Sequence, residues 1–368
     1  MAEPLKFMYD EAFINGFAQR VCSSWVPFDG ARFRELVFGP GWDELELKGR
    51  MRRISESLRE TLPESYAEAL AVLESIAEEC RGFPYLFFPD FVERYGLDDW
   101  ARSIGALERF TQLSSAEFAV RPFIKRDTKR MMDQMLAWTK HPNEHVRRLA
   151  SEGCRPRLPW AEALPAFKRD PSPILPILEA LKADPSEYVR RSVANNLNDI
   201  SKDHPDLVLE LAARWHGADP LTDGMLRHGC RSLIRASAHP AALGLFGLKP
   251  PEGVVVAEWE ATPSEVEAGG EAEVRYAVRL PEGEAAFKLR LELAVYYPRS
   301  GGKTYRKLFK LSERSGTGGE LVKGARRLSF ADLSTRKHAP GEHRLALVAN
   351  GAEVAELTIE LKERGMGG

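Results

Sequence analysis

Two stretches of the sequence share one pattern: HPNEHVRRLA at residues 141–150 and ADPSEYVRRSVA at residues 183–194. From the proline onward, each stretch reads proline, a variable residue, glutamate, a ring-bearing residue, valine and two arginines. Proline fixes φ at the start of a helix, and the glutamate that follows suits the positive end of the helix dipole. Each stretch therefore predicts the first turn of an amphipathic helix.

The two Val-Arg-Arg triplets begin at Val146 and Val189, which lie 43 residues apart. This spacing falls within the period of about 40–47 residues at which HEAT and armadillo helix pairs repeat. A degenerate third copy begins with Ala-Asp-Pro at residues 218–220, which repeats the triplet at residues 183–185. We therefore predict a multidomain chain that begins with an all-α solenoid of HEAT-like repeats.

The second repeat helix separates an apolar face from a polar face. Its polar face carries three side chains that lie one helical turn apart: Arg191, Asn195 and Asp199. On the first repeat helix, Arg148 and Glu152 occupy the positions of Arg191 and Asn195, so consecutive repeats present polar groups at matching places. The apolar stripe, which we expect to face the core, consists of Val189, Val193, Leu197 and Ile200.

The character of the sequence changes near residue 249. Residues 249–253, Lys-Pro-Pro-Glu-Gly, form a short stiff linker, and residues 254–368 show the period-2 alternation of β-strands between Gly-rich turns. Six or seven such strands are typical of an immunoglobulin-like β-sandwich, here without its cysteine bridge, because every cysteine lies earlier. We predict an all-α HEAT-like domain over residues 1–248 and a β-sandwich domain after the linker. The clearest alternation lies at 271–278, 289–296 and 344–348.

The composition favours an intracellular globular protein. The chain has 368 residues, of which 43% are hydrophobic and 29% are charged, as is ordinary for a protein with a sizeable core. It has no apolar run of about 18 residues and no signal-peptide pattern at its start, so we expect neither a membrane span nor secretion. A Gly-rich phosphate loop, a His/Cys cluster and a nucleophile elbow are all missing from the sequence, which predicts no cofactor and no metal. The cysteines are scattered as expected for reduced cytoplasmic thiols: Cys22, Cys80, Cys154 and Cys230.

The formal net charge of −2 conceals two basic segments. Residues 100–160 hold twelve basic and six acidic residues, and residues 299–337 hold eleven basic and three acidic residues. A solvated surface explains most charge runs, whereas a basic stripe on a solenoid also indicates a track for DNA phosphates. The candidate DNA-binding residues are Arg121, Lys125, Arg126, Lys129, Arg148, Arg191, Lys303, Arg306, Lys307, Arg326 and Arg327.

Three carboxylates on or beside basic helices are candidates for chemistry: Glu117, Glu152 and Asp199. Each has a structural alternative. Residues 114–117, Ser-Ser-Ala-Glu, form a capping box, and Glu152 lies one helical turn after an arginine, which fits a surface ion pair. Asp199 lies near a helix C-terminus, where the helix dipole disfavours a carboxylate. Trp160 is either a core residue or the wall of a pocket for a base.

Three long blocks of the chain resemble the bacterial DNA alkylation-repair glycosylases of the AlkC/AlkD type, and the AlkC branch in particular. These blocks are residues 114–123, 145–160 and 189–199. The resemblance implies a HEAT-like solenoid that holds DNA in its concave face and excises N3-methylated bases such as 3-methyladenine and 3-methylcytosine. It also implies that Glu117, Glu152 and Asp199 line the catalytic centre. Some members of the AlkC branch carry a C-terminal immunoglobulin-like domain, which matches the predicted sandwich. The tryptophan frame of the other branch is not evident here, so the resemblance leaves the role of Trp160 open.

We therefore expect a monofunctional glycosylase whose carboxylates stabilise an oxocarbenium-like transition state. Its expected partner is double-stranded DNA that contains alkylated bases, and we expect a monomer that acts at the bacterial nucleoid, in the cytoplasm. Two alternatives stay open: a HEAT-repeat scaffold that binds protein, and a damage-sensing DNA binder without chemistry. Base release separates the glycosylase from both alternatives, and salt-dependent DNA affinity separates the two.

Overall fold

The computed structural model describes residues 4–236, 240–299, 304–332 and 338–363. Its contacts divide the chain into two units: 1–208 with 215–229, and 209–214 with 230–368. The first unit is helical, and the second contains the β-strands. The helical-then-β architecture predicted from the sequence is confirmed. Among the described residues, no helix is long and apolar enough to cross a lipid bilayer.

The described residues form sixteen α-helices, labelled α1 to α16 in chain order. They span Glu11–Ser24, Gly30–Val37, Leu47–Thr61, Tyr66–Ile76, Phe87–Tyr95, Trp100–Leu113, Val120–Arg126, Thr128–Trp138, Glu144–Gly153, Pro165–Arg169, Leu175–Leu181, Glu187–Ile200, Pro205–Trp215, Pro220–Gly229, Arg231–Ala236 and Pro240–Leu245. Short 3-10 helices lie at Leu5–Met8, Ala77–Glu79 and Phe83–Leu86.

The repeat helices begin where the proline-glutamate pattern predicts. Helix α9 begins at Glu144 and α12 begins at Glu187, and in α9 the side chain of Asn143 caps the first turn by accepting from the backbone N–H of His145. Helix α14 begins at Pro220, which is the proline of the third, degenerate copy. Helix α12 packs against both α9 and α14, and its predicted apolar stripe is buried. These contacts confirm that the three copies stack in sequence order.

The first arginine of each Val-Arg-Arg triplet closes the turn that precedes its own helix. Nη1 of Arg147 donates to the carbonyl oxygens of His141 and Pro142 at 3.0 and 2.8 Å. Nη1 of Arg190 donates to the carbonyl oxygens of Asp184 and Pro185 at 2.6 and 3.0 Å. The first arginine therefore serves the fold in both repeats, and the second arginine, one position further around the helix, is left for other contacts.

The second unit contains two β-sheets. Its strands, β1 to β8, span Val255–Thr262, Glu265–Glu267, Glu271–Arg279, Phe287–Pro298, Thr304–Gly316, Leu321–Ser329, Gly341–Ala349 and Ala352–Lys362. One sheet has the order β1-β3-β6 and the other has the order β2-β8-β7-β4-β5. All strand pairs are antiparallel except β2 with β8. The three clearest predicted strands lie within β3, β4 and β7, and the buried side chains of both sheets form the core of a sandwich.

The segment between the last helices and the first strand makes its contacts with the β-strands. Nζ of Lys288 on β4 donates to the carbonyl oxygen of Phe246 at 2.9 Å, and Nδ2 of Asn350 donates to that of Lys249 at 2.8 Å. Residues 230–248 thus belong to the second unit by contact. The domain division at residue 248 and the function of each domain stay predictions.

Candidate active site

Glu117 lies in the segment between α6 and α7, residues 114–119. Its Oε2 accepts a hydrogen bond from Oγ of Ser115 at 2.7 Å and a second from Nη1 of Arg148 on α9. The capping-box alternative requires the Glu117 carboxylate to bond the backbone N–H of Ser114. That N–H donates instead to the carbonyl oxygen of Phe110 at 2.8 Å, and it thereby closes α6. The Glu117 carboxylate is therefore directed to α9 rather than to a helix start.

Arg148 lies between two carboxylates. Besides its bond to Glu117, Nη2 lies 3.4 Å from Oε1 of Glu152, and Nη1 also donates to Oγ of Ser115 at 3.1 Å. The side chain is 15% exposed. Burial works to lower the pKa of Arg148, but the charges of the two glutamates outweigh it, and the pKa lies above its usual value. Arg148 is thus a fixed positive charge at the centre of the site.

Glu152 is buried, so the surface ion pair suggested by its spacing is not what the fold provides. Its Oε1 accepts from Nη1 of Arg155 at 2.6 Å, and its Oε2 accepts from Oγ of Ser192 on α12 at 2.7 Å. Oγ of Ser192 in turn shares a hydrogen bond of 2.7 Å with Oγ of Ser151. Both carboxylate oxygens therefore have partners, and they join α9 to α12.

Asp199 lies in the last turn of α12 and is buried. Its Oδ2 accepts from Nε of Arg155 at 3.0 Å, and its Oδ1 accepts from Nζ of Lys202 at 3.1 Å. These cations satisfy a carboxylate that the helix dipole alone would disfavour. Burial works to lower the pKa of Arg155, but Glu152 and Asp199 raise it above its usual value.

The three predicted carboxylates therefore belong to one continuous set of ion pairs, which we call the carboxylate row. It runs from Glu117 through Arg148, Glu152 and Arg155 to Asp199. Three separate elements contribute: the segment before α7, helix α9 with the residues that follow it, and helix α12. The fold thus brings together residues that are 82 positions apart in sequence, from residue 117 to residue 199.

Sequence reasoning missed two members of this site. Arg155 was part of a block that carries the family resemblance, but no role was assigned to it; its position three residues after Glu152 was the available signal. Tyr188 occupies the repeat position of His145, and its ring lies 5.2 Å from the Arg148 guanidinium carbon and 5.6 Å from the His145 ring. Burial raises the pKa of the Tyr188 phenol, although 41% of the residue is exposed. Tyr188 therefore adds an accessible aromatic face beside the row.

Trp160 lies in the loop between α9 and α10, residues 154–164, which we call the Trp160 loop. The residue is 60% exposed, so the core alternative is wrong. Its backbone has φ 62°, in the left-handed region that a bulky side chain rarely adopts. The ring meets that of Phe83 edge-on, with centroids 6.5 Å apart.

The candidate phosphate-binding residues of the helical unit have different surroundings. Arg121 is buried: its guanidinium donates to the carbonyl oxygens of Gly153 and Arg155, each at 2.9 Å, and to that of Glu162. Burial lowers the pKa of Arg121. Because all these bonds end on backbone carbonyls, Arg121 braces the Trp160 loop from inside the fold.

Four further basic candidates of this unit are exposed, and each has a carboxylate partner at the surface. The pairs are Lys125 with Glu162 at 2.5 Å, Arg126 with Asp98 at 2.6 Å, Lys129 with Asp133 at 2.7 Å and Arg191 with Glu187 at 2.8 Å. Exposed pairs of this kind are weak, because water and salt screen them, so a stronger anion can replace the carboxylate. These basic side chains can therefore still bind an anion, although each is paired with a carboxylate in the structure.

The basic candidates of the sandwich do not share one face. Arg306 and Lys307 are neighbours on β5, and Arg326 and Arg327 are neighbours on β6, so each pair points to opposite sides of its strand. Lys307 and Arg326 lie over the ring of Phe309 at 4.9 and 4.8 Å, and we call these three residues the Phe309 cluster. Arg306 lies instead near Tyr296 and Glu353. Arg327 is exposed and is paired in the sheet with Glu273 of β3. Lys303 lies outside the described residues.

The fold and the site together define a helical-repeat protein with a carboxylate row, followed by an immunoglobulin-like domain. The family model described as DNA alkylation repair enzyme matches residues 46–233, which is about half of the chain. The model described as the C-terminal Ig-like domain of the uncharacterised protein YhaZ matches residues 255–363. The chain belongs to the DNA alkylation repair enzyme family, in the AlkC/YhaZ-like group with a C-terminal Ig-like domain.

Two similar proteins cover nearly the whole chain. The uncharacterized protein YhaZ of Bacillus subtilis (strain 168) is 45% identical over 347 residues, which cover 94% of this chain and 96% of the relative. The solved structure of the Pseudomonas fluorescens alkylpurine DNA glycosylase AlkC, bound to DNA containing an abasic site analog, is 38% identical with a TM-score of 0.93. The match covers 98% of this chain and 100% of that structure. The chain therefore has the fold of AlkC.

Proposed function

We propose that this protein is a DNA glycosylase that hydrolyses the N-glycosidic bond of alkylated bases in double-stranded DNA. Membership of the DNA alkylation repair enzyme family and the similarity to AlkC support the class of activity. The observation that carries the assignment of the site is the carboxylate row, in which three repeat elements bring Glu117, Glu152 and Asp199 together.

Glu117 is the member of the row best placed to act on a substrate. Its side chain is 16% exposed, compared with 7% for Glu152 and 3% for Asp199. In the described part of the chain, the hydrogen bonds that we find on the Glu117 side chain both end on Oε2. Oε1 is then available to face the sugar or to orient a water molecule, whereas both oxygens of Glu152 and of Asp199 already have protein partners.

The chemistry of an alkylated base suits this arrangement. A base methylated at N3 carries a positive charge, so it leaves the sugar without prior protonation. The transition state resembles an oxocarbenium ion, which a nearby carboxylate stabilises by charge. We propose that Glu117 supplies this charge, and that Glu152 and Asp199 act through Arg148 and Arg155 to hold the row in place.

The substrate class follows from the charges of the site. The more exposed carboxylate of the row, Glu117, and the accessible ring of Tyr188 both favour a cationic base over a neutral one. We propose 3-methyladenine and 3-methylcytosine as substrates, because both are cations. Without a general acid in this mechanism, a neutral lesion such as ethenoadenine has no path to leave.

We propose that DNA binding uses basic residues on both units, which are exposed in the helical unit and partly buried in the sandwich. In the helical unit these are Arg191, Lys125, Arg126 and Lys129, whose surface carboxylate partners a phosphate can replace. In the sandwich we favour the Phe309 cluster, because cationic side chains next to an aromatic ring are typical of nucleic-acid surfaces. Arg121 is not part of the proposed surface, since its donors are used inside the fold.

The test is base release from defined duplexes that contain 3-methyladenine, 3-methylcytosine or ethenoadenine. We expect release of the two cationic bases, with an abasic site left in the strand, and no detectable release of the neutral base. Binding to each duplex without release would support the damage-binding alternative. Neither binding nor release would support the protein scaffold.

A further inference from the structure

The Trp160 loop is fixed at several points although Trp160 itself is exposed. Within the loop, the backbone N–H of Ala161 donates to the carbonyl oxygen of Leu158 at 3.3 Å, and that of Leu164 donates to Pro156 at 3.1 Å. Arg121 holds the loop from inside, through the carbonyl oxygen of Glu162 at 3.0 Å. A left-handed conformation at a bulky residue is strained, and it persists only where the surrounding structure imposes it.

One of these fixing contacts comes from a distant helix. Nζ of Lys48, near the start of α3, donates to the carbonyl oxygen of Trp160 itself at 2.9 Å. The same Nζ lies 4.6 Å from the centre of the Phe118 ring. Phe118 directly follows Glu117 in the chain. A single ammonium group therefore joins the residue with the left-handed backbone to the segment that carries Glu117.

The position of Lys48 on its helix is unfavourable for a lysine without a further contact. It is the second residue of α3, Leu47–Thr61, where the helix dipole presents positive charge. The first turn of α3 holds no acidic residue, and the N-cap residue, Glu46, makes no side-chain capping hydrogen bond. A local preference that is broken in this way usually has a functional or structural gain elsewhere. The contacts of Nζ with Trp160 and Phe118 supply that gain.

Acidic groups of α5 face the same region. Burial raises the pKa of Asp90 and of Glu93, and Arg52, which lies 2.8 Å from Asp90, opposes this effect. The charge of Lys48 also lowers the pKa of both carboxyl groups. The ammonium group therefore lies within electrostatic range of α5, in addition to its contacts with Trp160 and Phe118.

We propose that Lys48 is a positioning residue, which holds Trp160 in its exposed left-handed conformation next to the Glu117 segment so that the indole meets the DNA at the damaged base. Lys48 acts through Trp160 and does not touch the substrate. The part that concerns excision rests on the proposed glycosylase function, whereas the part that concerns the loop does not.

The first experiment tests the loop without reference to activity. Hydrogen exchange of peptides that cover residues 154–164 is compared in the wild type, Lys48→Met and Lys182→Met. Lys182 is the matched control, because its Nζ also lies over an aromatic ring, 5.2 Å from Trp215, but not at the site. We expect faster exchange of the loop in Lys48→Met alone. Unchanged exchange in Lys48→Met overturns the inference, whatever the activity.

The second experiment tests the consequence for excision, as the single-turnover rate at saturating enzyme on 3-methyladenine DNA. Lys48→Met and Trp160→Ala should each be slower than the wild type by about tenfold, since a small misplacement of a positioned group costs up to about a hundredfold. The double variant should be no slower than Trp160→Ala, because the two residues act as one unit. Lys48→Arg, which keeps a charged donor, should recover most of the rate.

Three results would contradict this account: a wild-type rate for Lys48→Met, multiplicative losses in the double variant, or no recovery with arginine. A loss confined to DNA affinity, with the salt slope reduced by about one, would make Lys48 a phosphate contact and overturn the proposal. If the wild type releases no base, the proposed function fails, and hydrogen exchange still decides whether Lys48 holds the loop.

Discussion

Arg148 and Arg191 occupy equivalent positions in consecutive repeats, yet they have different surroundings. Arg148 is 15% exposed and lies between Glu117 and Glu152, whereas the Arg191 side chain is 65% exposed and pairs with Glu187 at the surface. The difference comes from the neighbouring elements, because the segment before α7 brings Glu117 to the first repeat helix. One repeat position therefore serves the site in α9 and the surface in α12.

At the residue scale, Arg148→Ala should slow excision by roughly 100-fold, since it leaves Glu117 without the charge that fixes it. The salt slope of DNA binding should stay near that of the wild type, because two carboxylates already neutralise Arg148. Arg191→Ala is the matched control. It should lower the salt slope of DNA binding by about one and leave the excision rate at saturating enzyme unchanged. Single-turnover kinetics and a salt titration check both variants, and a lower slope for Arg148→Ala would place this residue on a phosphate.

The residues whose place in the fold could be predicted from the sequence are those whose position is set by the repeat. Glu152 and Asp199 could be found because α9 and α12 follow a visible period. The contact between Glu117 and Arg148 could not be found in this way, since it joins a segment outside the helices to a repeat helix, and the local sequence favours a capping box. The burial of Arg121 was equally hidden, because a basic residue in a basic stretch looks exposed until its tertiary partners are known.

At the element scale, the Val-Arg-Arg triplet explains why the repeat is recognisable in the sequence. Its first arginine closes the turn before the helix in both repeats, and Arg147 also forms a two-pronged pair with Asp184 of the next repeat, at 2.7 and 3.0 Å. Oδ1 of Asp184 in turn accepts from the backbone N–H of Ser186 at the start of α12. The Val-Arg-Arg pattern therefore serves the packing of one repeat against the next as well as the helices themselves.

Arg147→Ala should lower the free energy of unfolding by about 2–4 kcal/mol, because it leaves the buried Asp184 carboxylate without its cation. Arg191→Ala, which breaks only an exposed pair, should change it by less than about 1 kcal/mol. Urea unfolding followed by helical circular dichroism measures both. Equal stability of the two variants would show that the turn closure by Arg147 contributes little.

The Trp160 loop shows the limit of sequence reasoning at this scale. A proline on each side of Arg157 indicates a loop, but the left-handed backbone at Trp160 and its tie to Lys48, 112 residues away, depend on tertiary contacts. Helix periodicity carries no information about such a loop. By contrast, the change from period 3.6 to period 2 near residue 249 was sufficient to predict the sandwich.

At the scale of the whole molecule, the two units carry separate basic surfaces on one chain. Two linked sites raise the affinity for one duplex through effective concentration, even when each site is weak. If the sandwich binds DNA as proposed, this role does not require it to contribute to the chemistry.

The double variant Lys307→Ala/Arg326→Ala should therefore weaken DNA binding and lower the salt slope by up to about two. Its excision rate at saturating enzyme should match that of the wild type. Arg344→Ala is the control, since Arg344 stacks on Tyr296 within a set of exposed carboxylates away from the Phe309 cluster. A lower rate at saturation would mean that the sandwich also shapes the DNA for reaction, and an unchanged affinity would assign the Phe309 cluster to another partner.

The central claim is that Glu117 stabilises the charge that develops when the base leaves. It is tested most directly by the single-turnover rate of 3-methyladenine release by Glu117→Gln, with DNA affinity measured on the same duplex. Glutamine keeps the shape and can still bond Ser115, but it removes the charge. The account predicts a rate lower by about 10–1000-fold, with affinity equal to or above that of the wild type, because negative charge near phosphate has been removed. A full rate in Glu117→Gln would contradict the claim.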